Sequence, residues 1–290
     1  MQCSQTKANA ALRELHLKVT FDTNTLSGIV DPDQQVGAAD NAAYQAVHAA
    51  IKTEQIRGFF GEAVVTLDAI GRRAKAEVLG AARFVSEHVS TAPNHVTITL
   101  GPCWQRVDID PRILARIEAA RAMGMRALIG PRRFGDTRVV RGFGEDFYEP
   151  YPSGAAFVVA ADTAKALDAA IVARGCGRAQ VIELAKSFSK RSGAAGEWWP
   201  QGLARTRSTA ERKKVRLAVN EWADGEALAA HAGYGNDLFC TRDSGGDLGA
   251  RSILHPSHRA WLSETHGVTF VTVAELAERM AAAPRMLSGF

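Results

Sequence analysis

Cysteine is scarce in this chain: 290 residues hold four, Cys3, Cys103, Cys176 and Cys240, and no two stand at CxxC spacing. That excludes a CxxC metal knuckle or dithiol redox motif, and it predicts reduced thiols in a cytoplasmic protein rather than a disulfide framework. Long apolar runs are also missing. The longest, residues 155–161, is far shorter than the roughly 20 residues a membrane helix needs. The opening stretch MQCSQTKANAALRELHLKV lacks the continuous apolar segment of a signal peptide, so no membrane partner is expected. Neither sign of charge dominates: 35 Lys and Arg against 31 Asp and Glu leave a formal charge of +4. Such a balance permits a nucleic-acid partner without requiring one. No internal repeat is visible.

Hydrophobic residues make up 46% of the chain, enough for a well-buried core. Residues 17–22 read as a buried strand and 31–41 as a loop, with a helix over 41–53. Residues 58–84 read as largely helical, with Phe59, Phe60, Ala63, Val64, Leu67 and Ile70 as the apolar stripe. HVTITL at 95–100 alternates like a strand, and Asp110-Pro111 opens a helix to about 123. RALIG and AAFVVAAD read as strands on either side of a Gly- and Pro-rich loop at 130–154. Helices are predicted at 162–173 and 178–190, then a connector over 189–208. A long helix capped by Thr209 runs to about 232 and ends at Gly233 and Gly235. DLFCTRD and VTFVTV are further strands, and AELAERMAAA is a closing helix. The alternation predicts an α/β fold with a parallel central sheet flanked by helices.

The acids fall at telling positions. Asp22 ends the first strand, and Asp243 ends DLFCTRD in the same way. Ligand crevices in open parallel sheets lie outside the carboxyl ends of strands, so neighbouring strands would bring the two together. In the long helix Leu217, Glu221, Asp224 and Leu228 share one face, where an unpaired buried charge would be costly. Glu62 borders the apolar stripe of 58–84. Gathered carboxylates repel unless one is protonated or a cation intervenes. Mg²⁺ and Mn²⁺ prefer oxygen donors, and such ions activate water and steady a phosphodiester under attack.

The segments FDTNTL, the acid Glu62, ADGEALAAH at 223–231, LFCTRD and the closing GVTFVTVAEL together resemble the signature regions of PIN-domain nucleases. The resemblance covers roughly 17–80 and 210–282. It implies a Rossmannoid three-layer domain over 15–290, with 86–208 as a large mid-chain insertion. It implies that Asp22, Glu62, Asp224 and Asp243 hold Mg²⁺ or Mn²⁺, and that Asn24 and Thr241 orient the acids or a water. Glu54 and Asp68 stand as alternatives to Glu62, and Glu221 as a partner or replacement for Asp224. The implied activity is a metal-dependent endoribonuclease with RNA as substrate, cytoplasmic. A homodimer is suggested, with room for an inhibitor protein as partner.

Arg205, Arg207, Arg212, Lys213, Lys214 and Arg216 form a cationic run just before the acidic face. It reads either as a solvated helix end or as an RNA-backbone contact. Trp198 and Trp199 read as packing residues or as base-stacking platforms. His255 and His258 lack a third ligand for zinc and suit capping or surface roles, Asp237 suits a strand start, and Glu221 suits a salt bridge. Two other functions compete. A haloacid-dehalogenase-like phosphatase would need a second acid at position 24, where Asn24 stands. A non-catalytic RNA-binding scaffold would keep the fold without the metal.

Overall fold

A computed structural model describes residues 17–35, 39–71, 74–92, 95–103, 110–131 and 143–282. Cys3, the opening stretch and much of the expected 130–154 loop lie outside the described residues. Seven strands are described: β1 (Leu17–Phe21), β2 (Ile56–Gly61), β3 (Arg83–Ala92), β4 (His95–Cys103), β5 (Arg126–Leu128), β6 (Leu238–Cys240) and β7 (Phe270–Val271). Five form an all-parallel sheet in the order β5-β2-β1-β6-β7, while β3 and β4 pair as a separate antiparallel hairpin. Parallel strands covered on both faces call for mostly apolar side chains, which Leu17, Val19 and Phe21 of β1, Phe59 and Phe60 of β2 and LFC of β6 supply.

Helices cover the two faces. Against one lie α1 (Thr23–Val30), α2 (Asn41–Lys52), α5 (Pro111–Ala122) and the closing α10 (Val273–Ala282). Leu26, Ile29, Val47, Ile51, Ile117 and Leu276 pack there with Val19, Phe21 and Phe60 of the sheet. Against the other face runs α8 (Thr209–Tyr234), backed by α6 (Ala155–Ala173) and α7 (Arg178–Arg191). Here Phe59, Leu128 and Phe239, the alternate strand residues, meet Leu228, Ala229 and Ala230. The result is a three-layer Rossmannoid α/β architecture. The helix α8 rides very close to β2: a Cβ built on Gly61 would stand 3.1 Å from Ala227 Cβ and 3.2 Å from its Cα. Short α3 (Ala63–Thr66) and α4 (Lys75–Gly80) follow β2, and α9 (Pro256–His266) precedes β7. No described helix is long and apolar enough to cross a membrane.

Three expectations change. Residues 58–84 are not one helix: Gly58 to Gly61 belong to β2, wedged between β1 and β5, and only α3 and α4 are helical before β3 begins. Apolar residues at nearly every position fit a helical stripe as well as a fully buried strand, and the sheet decides between them. AAFVVAAD is the start of α6, not a strand, and it leaves Val159 66% exposed. The long helix is capped by Ser208, whose Oγ accepts from the Glu211 N–H at 3.2 Å, rather than by Thr209. Gly235, with φ of +61°, ends it, whereas Gly233 lies inside it, close against Ala164 and the Ala160 carbonyl. Within the 86–208 stretch, β5 supplies the edge of the central sheet beside β2.

Candidate functional site

β1 and β6 are neighbours, in register through Phe21 and Cys240, so Asp22 and Thr241 emerge side by side at the carboxyl edge. The Asp22 N–H still donates to the Cys240 carbonyl at 3.0 Å, which holds the acid to the sheet. Its carbonyl accepts from the N–H groups of Thr25 and Leu26, both at 3.0 Å, so α1 begins directly above it. The carboxylate is left to face a cleft of about 660 Å³. Into the same cleft project Asp243, Asp224 of α8, Asp68 from the turn after α3, Asn24, Lys75 and Asn220. Arg112 and Arg116 of α5, Arg216 of α8 and Arg242 also line it.

Thr241 joins the two strand-end acids. Its buried hydroxyl donates to Asp22 Oδ2 at 2.7 Å and accepts from the Asp243 N–H at 3.1 Å. Asp243 Oδ1 accepts from the Gly245 N–H at 2.9 Å, and its carbonyl accepts from the Arg259 guanidinium. Thr23 Oγ1 donates to Asp68 Oδ2 at 2.8 Å, and Lys75 Nζ lies 3.6 Å from Asp68 Oδ1 and 2.9 Å from Asn220 Oδ1. Asn24 Oδ1 accepts from the Arg242 N–H at 3.5 Å, a long contact.

The electrostatics follow from crowding. Burial pushes the Asp22 carboxyl up to about 6; the Thr241 hydrogen bond opposes this, and the charges of Asp68 and Asp243 add to it. Asp224 is driven well above the usual carboxylate range by burial first, then by Asp22, Glu221, Asp68 and Asp243. Lys75 is lowered by burial, against the pull of Asp68 and Asp224. Oxygen-only acids that raise one another's proton affinity fit a hard divalent cation by type and by charge. Among the described residues, no three His, Cys, Asp or Glu side chains are already drawn together as a ligand group.

The expected residues therefore divide. Asp22, Asn24, Asp224 and Asp243 line one cleft, and Thr241 ties Asp22 to the Asp243 backbone. Glu62 does not line the cleft. It continues the β2–β5 ladder, with its N–H donating to the Leu128 carbonyl at 2.9 Å, and its Oε1 accepts from the Tyr148 hydroxyl at 2.6 Å. The acid from this segment that enters the cleft is Asp68. Glu54, the other alternative, sits in the turn after α2 with φ of +57° and also does not line the cleft.

Glu221 turns the other way. Its Oε1 accepts from the N–H groups of Gly177 at 3.2 Å and Ile253 at 2.6 Å, and Oε2 is buried with no hydrogen-bond partner. Its described partners are thus two backbone amides and the Ser252 side chain, not the Lys or Arg expected. Burial raises it to about 7, against those amide bonds.

The cationic run is also rearranged. Arg205 is committed to Glu197 by two 2.7 Å bonds, while Arg207 donates through its backbone N–H to Glu211. Arg212, Lys213 and Lys214 are exposed on α8 away from the cleft lining; of the run only Arg216 reaches it. Trp198 and Trp199 are half-buried in packing, Trp199 with its ring 6.2 Å from that of Trp222. His255 caps α9 through its Nδ1, and Asp237 accepts from the Lys18 N–H at 2.7 Å at the start of β6.

Sequence reading missed Lys75, Asn220, Arg112, Arg116 and Arg242. One signal was available: Arg216, Asn220 and Asp224 are spaced four apart, a polar line along one helix face. Comparison with known protein families, with curated proteins and with solved structures finds no match to this chain.

Proposed function

We propose that this chain is a metal-dependent endoribonuclease of the PIN-domain type, working in the cytoplasm. The observation that carries the reading is one cleft at the carboxyl edge of a parallel sheet, in which Asp22, Asp68, Asp224 and Asp243 face an arginine-bearing rim. In this reading Asp22, Asp224 and Asp243 hold Mg²⁺ or Mn²⁺, and Asp68 takes the place expected for Glu62. A bound dication supplies a more acidic water and charge neutralisation at a phosphodiester.

The chain's own residues do the rest. Thr241 fixes the Asp22 carboxylate through its hydroxyl proton, with the Thr23 backbone N–H as a second donor, and the carboxylate faces the cleft. Asn24 crosses to the Arg242 backbone and holds the start of α1 against the end of β6. Arg112, Arg116, Arg216 and Arg242 attract the phosphates of a single strand and set it along the cleft mouth. The phosphatase alternative is weaker, because position 24 carries an amide that accepts from a backbone N–H and has no proton to give as an acid.

Incubation of a single-stranded RNA pool with Mg²⁺ or Mn²⁺, with and without chelator, tests the reading. Cleavage that requires the ion and disappears in Asp22→Asn is expected. Intact RNA under every condition sinks it. One observation favours the scaffold reading: Lys75 places an ammonium among the acids and neutralises part of their charge without any metal. Equal Mn²⁺ affinity in the wild type and in Asp22→Asn with Asp243→Asn would select that scaffold.

A further inference from the structure

Lysine is rarely fully buried unless something demands it, and Lys75 is only 3% exposed. It stands on α4, held from three sides. Its ammonium donates to Asn220 Oδ1 at 2.9 Å, Asp68 Oδ1 lies at 3.6 Å, and its remaining face lines the acidic cleft. Both contacts belong to residues that also line the cleft, so the ammonium is built into the wall rather than parked beside it.

Asn220 is the important partner. A neutral amide oxygen steers the ammonium without cancelling its charge, and the charges of Asp68 and Asp224 both act on Lys75. Thr23 fixes the other oxygen of Asp68 at 2.8 Å, and this leaves Asp68 oriented toward Lys75.

We propose that Lys75 is a built-in counter-cation that limits this cleft to one divalent ion, occupying in charge the place a second ion would take. The proposal rests on the nuclease reading above. With Arg112, Arg116, Arg216 and Arg242 at the rim left to the phosphates, the four carboxylates and one ammonium accept one dication and retain a net negative charge. A second dication would make the group net positive and would sit against the ammonium. Lys75 is thus a positioning residue: it holds Asp68 and sets how many ions the acids can take.

The test counts Mn²⁺ by isothermal titration and by electron paramagnetic resonance on the full chain. The wild type binds one ion, Lys75→Met binds two with a spin-coupled signal, and Lys75→Arg returns to one. Two coupled ions in the wild type, or one ion in Lys75→Met, overturns the role of Lys75 and leaves the nuclease reading standing. No bound ion in the wild type instead removes the nuclease reading itself. If Lys75→Met does not fold, Lys75→Gln replaces it, and the same two outcomes decide: two coupled ions support the role of Lys75, one ion overturns it.

Discussion

Glu221 and Asp224 sit one turn apart on the same helix and live in opposite worlds. Glu221 points into the seam between α7 and the 252–254 segment, where two backbone N–H groups receive it and water is excluded. Asp224 opens into the cleft, where it meets other acids and the Lys75 ammonium. Both have raised proton affinity, and in both burial is the first cause and Asp243 adds to it; they differ in what else acts. For Glu221 the seam is nearly sealed and the amides only partly offset desolvation. For Asp224 desolvation is compounded by like charge from four directions. A buried acid supplied with amides is a structural staple, whereas a half-buried acid set among acids is a vacancy in charge that a cation can fill.

The sharpest way to break this contrast is to remove cleft acids and seam acids in parallel. Asp22→Ala or Asp224→Ala should cut RNA cleavage by roughly 10²–10³-fold, the scale for losing one group that acts in the transition state, with the circular dichroism spectrum unchanged. Glu221→Ala should do the reverse: cleavage per folded molecule is retained, while chemical denaturation shows a loss of about 3 kcal/mol, from two orphaned amides and a cavity. Equal activity losses in both would erase the distinction.

Proton linkage separates the two more finely. Glu221 binds its proton up to about 7 in the folded state, above its ordinary value of 4.5. Folded protein therefore holds more protons than unfolded across that window, and the stabilisation present at low pH is lost as pH rises from about 4.5 to 7. Relative to Glu221→Gln, the wild type should lose about 2–3 kcal/mol across it, read from denaturant midpoints at each pH. His231 acts with the opposite sign. Burial lowers it from 6.5 to about 4, so its contribution is lost as pH falls through that interval, and both variants share it equally.

A smaller effect is expected from metal. At an ion concentration near 100-fold over Kd, Mn²⁺ should raise the melting temperature of the wild type and of Glu221→Gln by roughly 5 °C. It should leave Asp22→Asn unmoved. The smallest effect tests the rim: Arg116→Ala with Arg216→Ala should weaken RNA binding and flatten its salt dependence, by roughly one counterion per charge removed. Lys213→Glu with Lys214→Glu, outside the cleft, should change cleavage less than about twofold. A larger effect from the outer pair would move the approach path away from the cleft.

The parallel sheet and the convergence of Asp22 with Asp243 were legible because each acid closes a short apolar run, and such runs end at the ligand edge of this architecture. Asp224 was legible from its place on a leucine-bearing helical face. Glu62 misled because GFFGEAVV satisfies both a helical stripe and a buried strand. Once the strand takes Gly58 to Gly61, the acid that follows turns toward Tyr148. Asp68 was legible only as an alternative to Glu62, and Lys75 left no trace, since their meeting depends on how an irregular turn and a six-residue helix fold back onto α8. Glu221 looked like an ion-pair partner because a sequence shows charges but not which backbone amides will need an acceptor.

The Gly61–Ala227 contact reaches beyond packing. Where these two small residues meet, the long helix is nearly seated on the strand, and Asp224 lies just under one turn upstream of that point of touch. The smallest side chains in the vicinity thereby set the gauge between the helical acid and the strand-end acids. A single added methyl at position 61 would act as a shim, lifting one jaw of the cleft by a few tenths of an ångström without altering any group that carries charge.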